Sequence, residues 1–203
     1  MNLENYYWYF DKAIGNYYCD QIINYALKQN KDRASIGGLN KRDLIANPLS
    51  PSELKALKKT RNSYITWLDE HWLYRLLQPY IHLANQNAKW NVQWDWSESV
   101  QFTHYKLNQH YNWHCDSNPK PYSSGKIRKL SAVVALTDAQ DYTGGELNFD
   151  FRNETKKRIY LCEEIKRRGT IIVFPSFVWH KVNPVTQGTR YSLVMWSLGK
   201  PYV

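Results

Sequence analysis

Cysteine is scarce: Cys19, Cys115 and Cys162 are the three in 203 residues, odd in number, far apart and with no Cys-x-x-Cys pair. That pattern builds neither a disulfide framework nor a thiolate zinc site, and it suits a reducing compartment, so a cytoplasmic protein is expected. Long apolar runs are missing too. No stretch approaches the roughly 18 continuous apolar residues of a membrane helix, and Met1 to Lys12 has neither the basic end nor the apolar stretch of a signal peptide. No membrane partner is expected. Linkers rich in Gly, Ser or Pro, internal repeats and low-complexity runs are also absent, which points to one domain over residues 1–203. Acidic residues run short of basic ones, 18 against 27, for a net charge of +9 with His neutral. The surplus admits an acidic partner without identifying one.

Aromatic residues are plentiful, at 15% of the chain, and a composition of that kind argues against disorder. Periodicity divides the chain in two. Residues 1–97 read as mostly helical support. Asn16 is placed to cap a helix whose Tyr18, Ile22, Tyr25 and Ala26 share a stripe widened by Ile23 and Leu27, with Gly37-Gly38 closing the unit. Ser50-Pro51-Ser52-Glu53 reads as a cap leading a short helix to about Lys59, and Asn62 to about Leu83 as a longer one carrying Trp67, Leu68, Trp72, Leu76 and Tyr80, with Pro79 near its end. Tyr6 to Phe10 reads as an aromatic core plug. From residue 98 to 203 the period becomes two. Strands are expected at Ser99–Tyr105, His110–Asp116, Lys129–Leu136, Glu146–Phe151, Thr170–Phe174, Trp179–Val182 and Tyr191–Trp196, separated by turn chemistry at Ser117–Pro119, Gly144-Gly145, Gly169 and Asn183–Gly188. The fold class is therefore mainly β with N-terminal helices packed on a small barrel or double-sheet jelly roll, which encloses a pocket.

Chemistry begins at Tyr111-Asn112-Trp113-His114-Cys115-Asp116. On a strand, residues two apart share a face, so His114 and Asp116 can converge on one point while Cys115 points away. His180, in a segment otherwise built for burial, offers a third ligand. Two imidazoles and one carboxylate form the facial set that leaves positions open on a non-haem Fe(II); zinc would keep only one open position for water. Folding a hairpin about the Pro184–Gly188 turn places Arg190 opposite His180, with its guanidinium in the pocket. A planar fork there suits a carboxylate held two-pronged, so the pocket fits a dicarboxylate that chelates at one end and is anchored at the other. 2-Oxoglutarate has that form.

With these residues in this order, the chain resembles the Fe(II)/2-oxoglutarate-dependent dioxygenases and, among them, the prolyl 4-hydroxylase-like branch. The likeness runs from Gln101 to Gly199 through Tyr105, the Tyr111–Asp116 cluster, Leu130-Ser131 to Leu136, Gly144-Gly145-Glu146-Leu147, Gly169 to Pro175, His180 and Arg190-Tyr191-Ser192. It implies a double-stranded β-helix (a cupin-like jelly roll) with His114, Asp116 and His180 as catalytic iron ligands. It further implies Arg190, Tyr105 and Ser192 around 2-oxoglutarate, and Tyr111, Arg128 and Trp196 on the substrate side. The reaction implied is oxidative decarboxylation of 2-oxoglutarate to succinate and CO2, with O2 consumed, ascorbate supportive and a Pro-containing protein or peptide hydroxylated.

Other readings of the same residues stay open. Arg190 can pair with Glu146 or Asp150; Tyr105, Tyr111 and Trp196 can be packing residues; Arg128, beside Lys126 and Lys129, can belong to a solvated charge run. The substrate can equally be another peptide residue, a small molecule or a nucleic-acid base, and a barrel that only binds is a further alternative. Nucleic acid is disfavoured, because the basic residues are scattered except at Lys156-Lys157-Arg158 and Lys166-Arg167-Arg168, which bracket an expected hairpin. In addition, base-repair members carry a second Arg beyond the RxS-like position, where only Lys200 follows here. His71, His82, His104 and His110 are not needed.

Overall fold

The computed structural model describes residues 5–29, 32–33, 50–152 and 158–202. Gly37-Gly38 and Lys156-Lys157 lie outside them. In chain order the strands are β1 (Trp8–Phe10), β2 (Asp32–Arg33), β3 (Arg61–Asn62), β4 (Tyr64–Leu68), β5 (Trp96–Ser97), β6 (Val100–Tyr105), β7 (His110–His114) and β8 (Ile127–Ala135). They continue as β9 (Tyr142–Gly144), β10 (Leu147–Asp150), β11 (Ile159–Leu161), β12 (Ile171–Pro175), β13 (Trp179–Val182), β14 (Val185–Gly188) and β15 (Arg190–Gly199). Among the described residues three helices, α1 (Asn16–Lys28), α2 (Pro51–Thr60) and α3 (His71–Asn87), precede the main run of strands.

Two antiparallel sheets face each other. The larger has the order β1-β12-β8-β15-β6-β4-β2, with β5 added beside β15, and the smaller has β11-β10-β13-β7-β3. This is the jelly roll expected of the sequence. The alternation along β8 shows how the layers form: Leu130, Ala132 and Val134 join the core under the helices, whereas Val133 and Ala135 join the core between the sheets. Against the helix side pack Cys19, Ile22 and Ala26 of α1 and Leu73, Leu77, Ile81 and Ala84 of α3. Each large aliphatic side chain buried there stabilises the fold by roughly 1.5–3 kcal/mol. Phe149 and Phe174, fully buried, meet edge to face at 5.1 Å between the sheets.

The N-terminal half departs from its expected pattern in three places. Gly15, not Asn16, caps α1, with no side-chain cap bond, and the buried stripe is Cys19, Ile22 and Ala26 while Tyr18 is exposed. The capping box at Ser50 and Glu53 is formed as expected. The long helix does not start at Asn62: residues 61–68 form β3 and β4, which pair with β7 and β6, and the helix begins only at His71 and continues through Pro79. Ladder bonds to two preformed strands outweigh a helical spacing that Trp67 and Leu68 share with Trp72 and Leu76 by coincidence.

The later strands match within a residue or two, except that β15 runs three residues past its expected end at Trp196 and the stretch expected to be a turn contains β14, paired with β9. Nor is there a hairpin between the two basic clusters. Instead β11 pairs with β10, and of the clusters' described residues Arg158, Lys166, Arg167 and Arg168 each meet an acid, Asp150, Glu163, Asp11 and Asp20. The aromatic plug is observed as an edge: β1 pairs with β12, Tyr6 stacks on Phe151 and Tyr7 on Phe149. Among the described residues no helix is long and apolar enough to cross a membrane.

Candidate active site

His114 and His180 stand directly opposite each other where β7 meets β13. Past the end of β7 the chain is held by two bonds, Asp116 N–H and Ser117 N–H donating to the Ser176 carbonyl at 2.8 and 2.9 Å, and this turn keeps Asp116 on the inner face. Cys115 turns outward, its thiol 3.5 Å from the Ser117 carbonyl. The Asp116 carboxylate then reaches both rings, with Oδ1 3.7 Å from His114 Nε2 and Oδ2 3.6 Å from His180 Nε2. One ligand atom from each of the three residues lies within 4.8 Å of the others, and no other such group occurs among the described residues.

The donor chemistry fits a divalent metal. His114 Nδ1 lies 2.8 Å from the Asn112 carbonyl and His180 Nδ1 2.9 Å from that of Val178. A carbonyl only accepts, so each Nδ1 carries its proton and each Nε2 presents a lone pair to the site, the arrangement usual for metal-bound imidazoles. Burial, and then His180 alongside, push His114 down to about 3, which keeps the ring neutral. Burial alone would raise Asp116, but His180, His114 and Arg128 hold it down at about 2, as a carboxylate. The Asp116 Oδ2 atom also accepts from the Ser131 hydroxyl at 2.7 Å, and Ser131 Oγ lies 2.9 Å from Ser176 Oγ.

Arg190 enters the same pocket by a different route from the hairpin expected. β13 pairs with β10 and β7, whereas β15 pairs with β6 and β8, so His180 and Arg190 lie in opposite sheets and face each other across the cavity. The intervening β14 carries the chain over from one sheet to the other. Opposite Arg190 on β6 is Tyr105, whose ring lies 5.5 Å below the guanidinium, and Arg190 Nη1 donates to Ser192 Oγ at 3.3 Å. Gly145, at φ +65°, makes room for the arginine, since a Cβ there would fall 2.9 Å from Arg190 Cδ. Arg190 is 3% exposed, and among the described residues no carboxylate pairs with it. The two acids considered for it are engaged elsewhere, Asp150 with Arg158 and Glu146 with Asn183. A buried guanidinium with only a hydroxyl and a ring beside it is strongly disfavoured until an anion joins it.

The expected substrate-side residues gather at the cavity. Tyr111 lies flat on the His114 ring, 3.4 Å between centroids and 11° between planes, with Arg61 above it at 4.5 Å. Trp196 lines the pocket, and Arg128 covers its ring at 3.7 Å while forking onto Glu98 through Nε at 2.9 Å and Nη2 at 2.5 Å. Arg128 is thus no part of a solvated run. The four remaining histidines stay outside the site: His110 lies between the Asn108 and Lys59 carbonyls, His104 stacks near Tyr64 and Tyr191, His82 stacks on Trp94, and His71 opens α3. Sequence spacing missed Arg61, Gln101, Thr103, Ser131 and Ser176. Alternation along β6 from Tyr105 would have pointed to Gln101 and Thr103, which line the pocket and bond to each other at 2.8 Å.

A model of the 2OG-Fe(II) oxygenase superfamily matches residues 100–198, the span that holds every ligand and Arg190. Residues 100–198 are similar to that superfamily in sequence. The oxygenase region is 33% identical over 100 residues to a PKHD-type hydroxylase of Pseudoalteromonas atlantica, covering 47% of this chain and 41% of the relative. It is 36% identical over 99 residues to one of Shigella boydii, covering 47% and 40%. The chain therefore spans less than half the length of these curated relatives.

The oxygenase fold extends beyond the matched region. A viral collagen prolyl hydroxylase from Paramecium bursaria Chlorella virus-1 superposes over 97% of both chains with a TM-score of 0.64 at 22% identity. A prolyl hydroxylase from Trichoplax adhaerens, solved with a peptide fragment of hypoxia inducible factor, superposes over 96% of this chain and 84% of its own with a TM-score of 0.68 at 18% identity. The superfamily brings iron(II) and 2-oxoglutarate as cofactors with O2 as oxidant, and the His-Asp-His set and Arg190 are suited to the first two.

Proposed function

We propose that this chain is an Fe(II)- and 2-oxoglutarate-dependent dioxygenase that hydroxylates a prolyl residue in a protein or peptide. The observation that carries the reading is the pairing, in one cavity, of a His-carboxylate-His face with a buried arginine that no acid of the described chain matches. When bound, iron(II), 2-oxoglutarate and O2 supply an oxidative decarboxylation to succinate and CO2 that is coupled to hydroxylation of a C–H bond.

His114 and His180 would hold the metal through Nε2 and Asp116 through its carboxylate, a set confined to one side so that the other side is open. The Arg190 fork would take the distal carboxylate of 2-oxoglutarate, with the Ser192 hydroxyl beside it. Tyr105 is raised above the ordinary phenol range by burial, against the lowering pull of Arg61 and Arg190, so its hydroxyl stays a donor toward the same ligand. Tyr111, pushed up to about 12 chiefly by burial, likewise stays neutral and walls the substrate side with Trp196 and Arg128. Together these rings exclude water from the reacting face.

The prolyl substrate draws support from two structural neighbours that are prolyl hydroxylases, one of them solved with a peptide fragment. The test is succinate formation with Fe(II), 2-oxoglutarate, ascorbate and Pro-containing peptides, alongside mass spectrometry for the gain of one oxygen atom. His180→Ala should abolish turnover, whereas Arg190→Ala should mainly raise the 2-oxoglutarate requirement. Equal tolerance of both changes would sink the site assignment. Succinate formation without oxygen transfer to any Pro peptide would shift the substrate to another peptide residue, a small molecule or a base.

A further inference from the structure

Trp67 is 44% exposed, yet it sits on the inner face of the larger sheet. Its Cα partner on β6 is Gln101, a pocket residue, and directly opposed residues share a face. Its ring lies 6.2 Å from that of Trp196. Trp196 in turn is capped by the Arg128 guanidinium, which Glu98 holds fast. Trp196, which lines the cavity and is itself buried, thus has Arg128 over its ring and half-exposed Trp67 beside it, so that the run from Trp196 to Trp67 leads from the cavity lining toward solvent. A large ring left half bare at the mouth of a cavity is the kind of surface that gains most from an apolar occupant.

The dimensions select the occupant. In an extended chain residues i and i+2 project to the same side about 6.6 Å apart, which matches the separation of the two indole rings. We propose that Trp67 is a substrate-specificity residue: with the target prolyl residue against Trp196, Trp67 receives the side chain two positions away in an extended peptide. An indole face flanked by Trp196 and Gln101 favours an apolar ring, so the preferred residue at that position is Pro or an aromatic. This rests on the reading of the cavity as a prolyl-hydroxylating site and adds to it the chemistry of the flanking residue.

The experiment uses host peptides with a single central Pro, in which position −2 or +2 carries Pro, Phe, Ala or Asp. With the wild-type chain a ring at one of these positions should raise kcat/KM about three- to tenfold over Ala, mainly by lowering KM. Trp67→Ala should remove that preference, Trp67→Phe should keep it, and Trp72→Ala, which deletes an exposed indole on α3, should leave it intact. Trp67→Gln serves as a second disrupting variant, with melting temperatures to confirm folding. A wild-type chain that treats all flanks alike, or a Trp67→Ala chain that keeps the preference, would overturn the role of Trp67 while leaving the prolyl reading in place. A wild-type chain that converts 2-oxoglutarate but oxidises none of the peptides would overturn the prolyl reading and the inference with it.

Discussion

Replacing Ser131 by Ala would remove a hydroxyl that touches no substrate, yet it should weaken metal binding measurably. Ser131 is fully buried on β8 and donates to Asp116 Oδ2 at 2.7 Å, while its other hydrogen-bonding partner, Ser176 Oγ, is held at 2.9 Å. A hydrogen bond to a charged acceptor contributes about 1.5–3 kcal/mol. In this site the bond fixes which Asp116 oxygen faces which histidine, since Oδ2 is the atom nearer His180 and Oδ1 the atom nearer His114. Loss of a group that orients a metal ligand typically lowers affinity 10- to 100-fold, or about 1.4–2.7 kcal/mol, in line with the bond itself. The assay is titration of the apo protein with Co(II) or Mn(II), with a thermal melt of the metal-free chain as control. Ser131→Ala should lose one to two decades of affinity and keep the fold. Wild-type affinity in the variant would show that the main chain around Ser176 alone positions Asp116, and the reasoning would fail.

Two further predictions concern stability and reactivity. Gly169 has φ +79°, and a Cβ there would lie 1.9 Å from the Ile14 carbonyl, at the point where Ile14 N–H donates to the Gly169 carbonyl at 2.9 Å. Gly169→Ala should therefore cost about 3 kcal/mol and lower Tm by roughly 6–12 °C, and a calorimetric scan showing no change would contradict that geometry. All three thiols are raised by burial, Cys115 further by Asp116 and Cys162 further by Glu164. Because the thiolate is the nucleophile, alkylation of the native chain should be slow at pH 7.5 and accelerate as pH rises toward the raised pKa values. Only half-exposed Cys115 should label before unfolding; peptide mapping that finds Cys162 labelled as fast would refute this.

The candidate metal-binding cluster is legible in the sequence because its signal is local: the HxD spacing on a strand and one histidine in an apolar strand need only period two to come together. The sequence puts Arg190 in the pocket through a hairpin with the His180 strand that the structure does not form. What brings it there is a crossing between sheets, which depends on β14 finding β9, and nothing near residues 183–188 announces that partner. Residues 62–68 read as helix in the sequence because Leu68, Trp72 and Leu76 continue the spacing of the real helix backward, with no glycine or proline between to break it. That misreading hid Arg61, whose position over Tyr111 exists only once β3 joins β7. Ser131 and Ser176 were invisible for a related reason: a lone serine on an apolar strand carries no pattern, and its role appears only when Asp116 is folded against it.

The pairing of β1 with β12 has a consequence for how the protein is made. Trp8 meets Val173 and Phe10 meets Ile171, so a segment near the start of the sequence completes a strand near the other end. At about 5–20 residues per second, some ten to thirty seconds pass during synthesis before β12 can emerge to meet β1. Through that interval β1 has no strand to pair with, although Phe10 already has Tyr80 of α3 beside it, and contacts so distant in sequence as β1 with β12 close late and slowly. The step that seals the edge of the large sheet thus has to wait for the strand that leads toward His180, so the β1 edge and the candidate metal-binding strand are completed late and together.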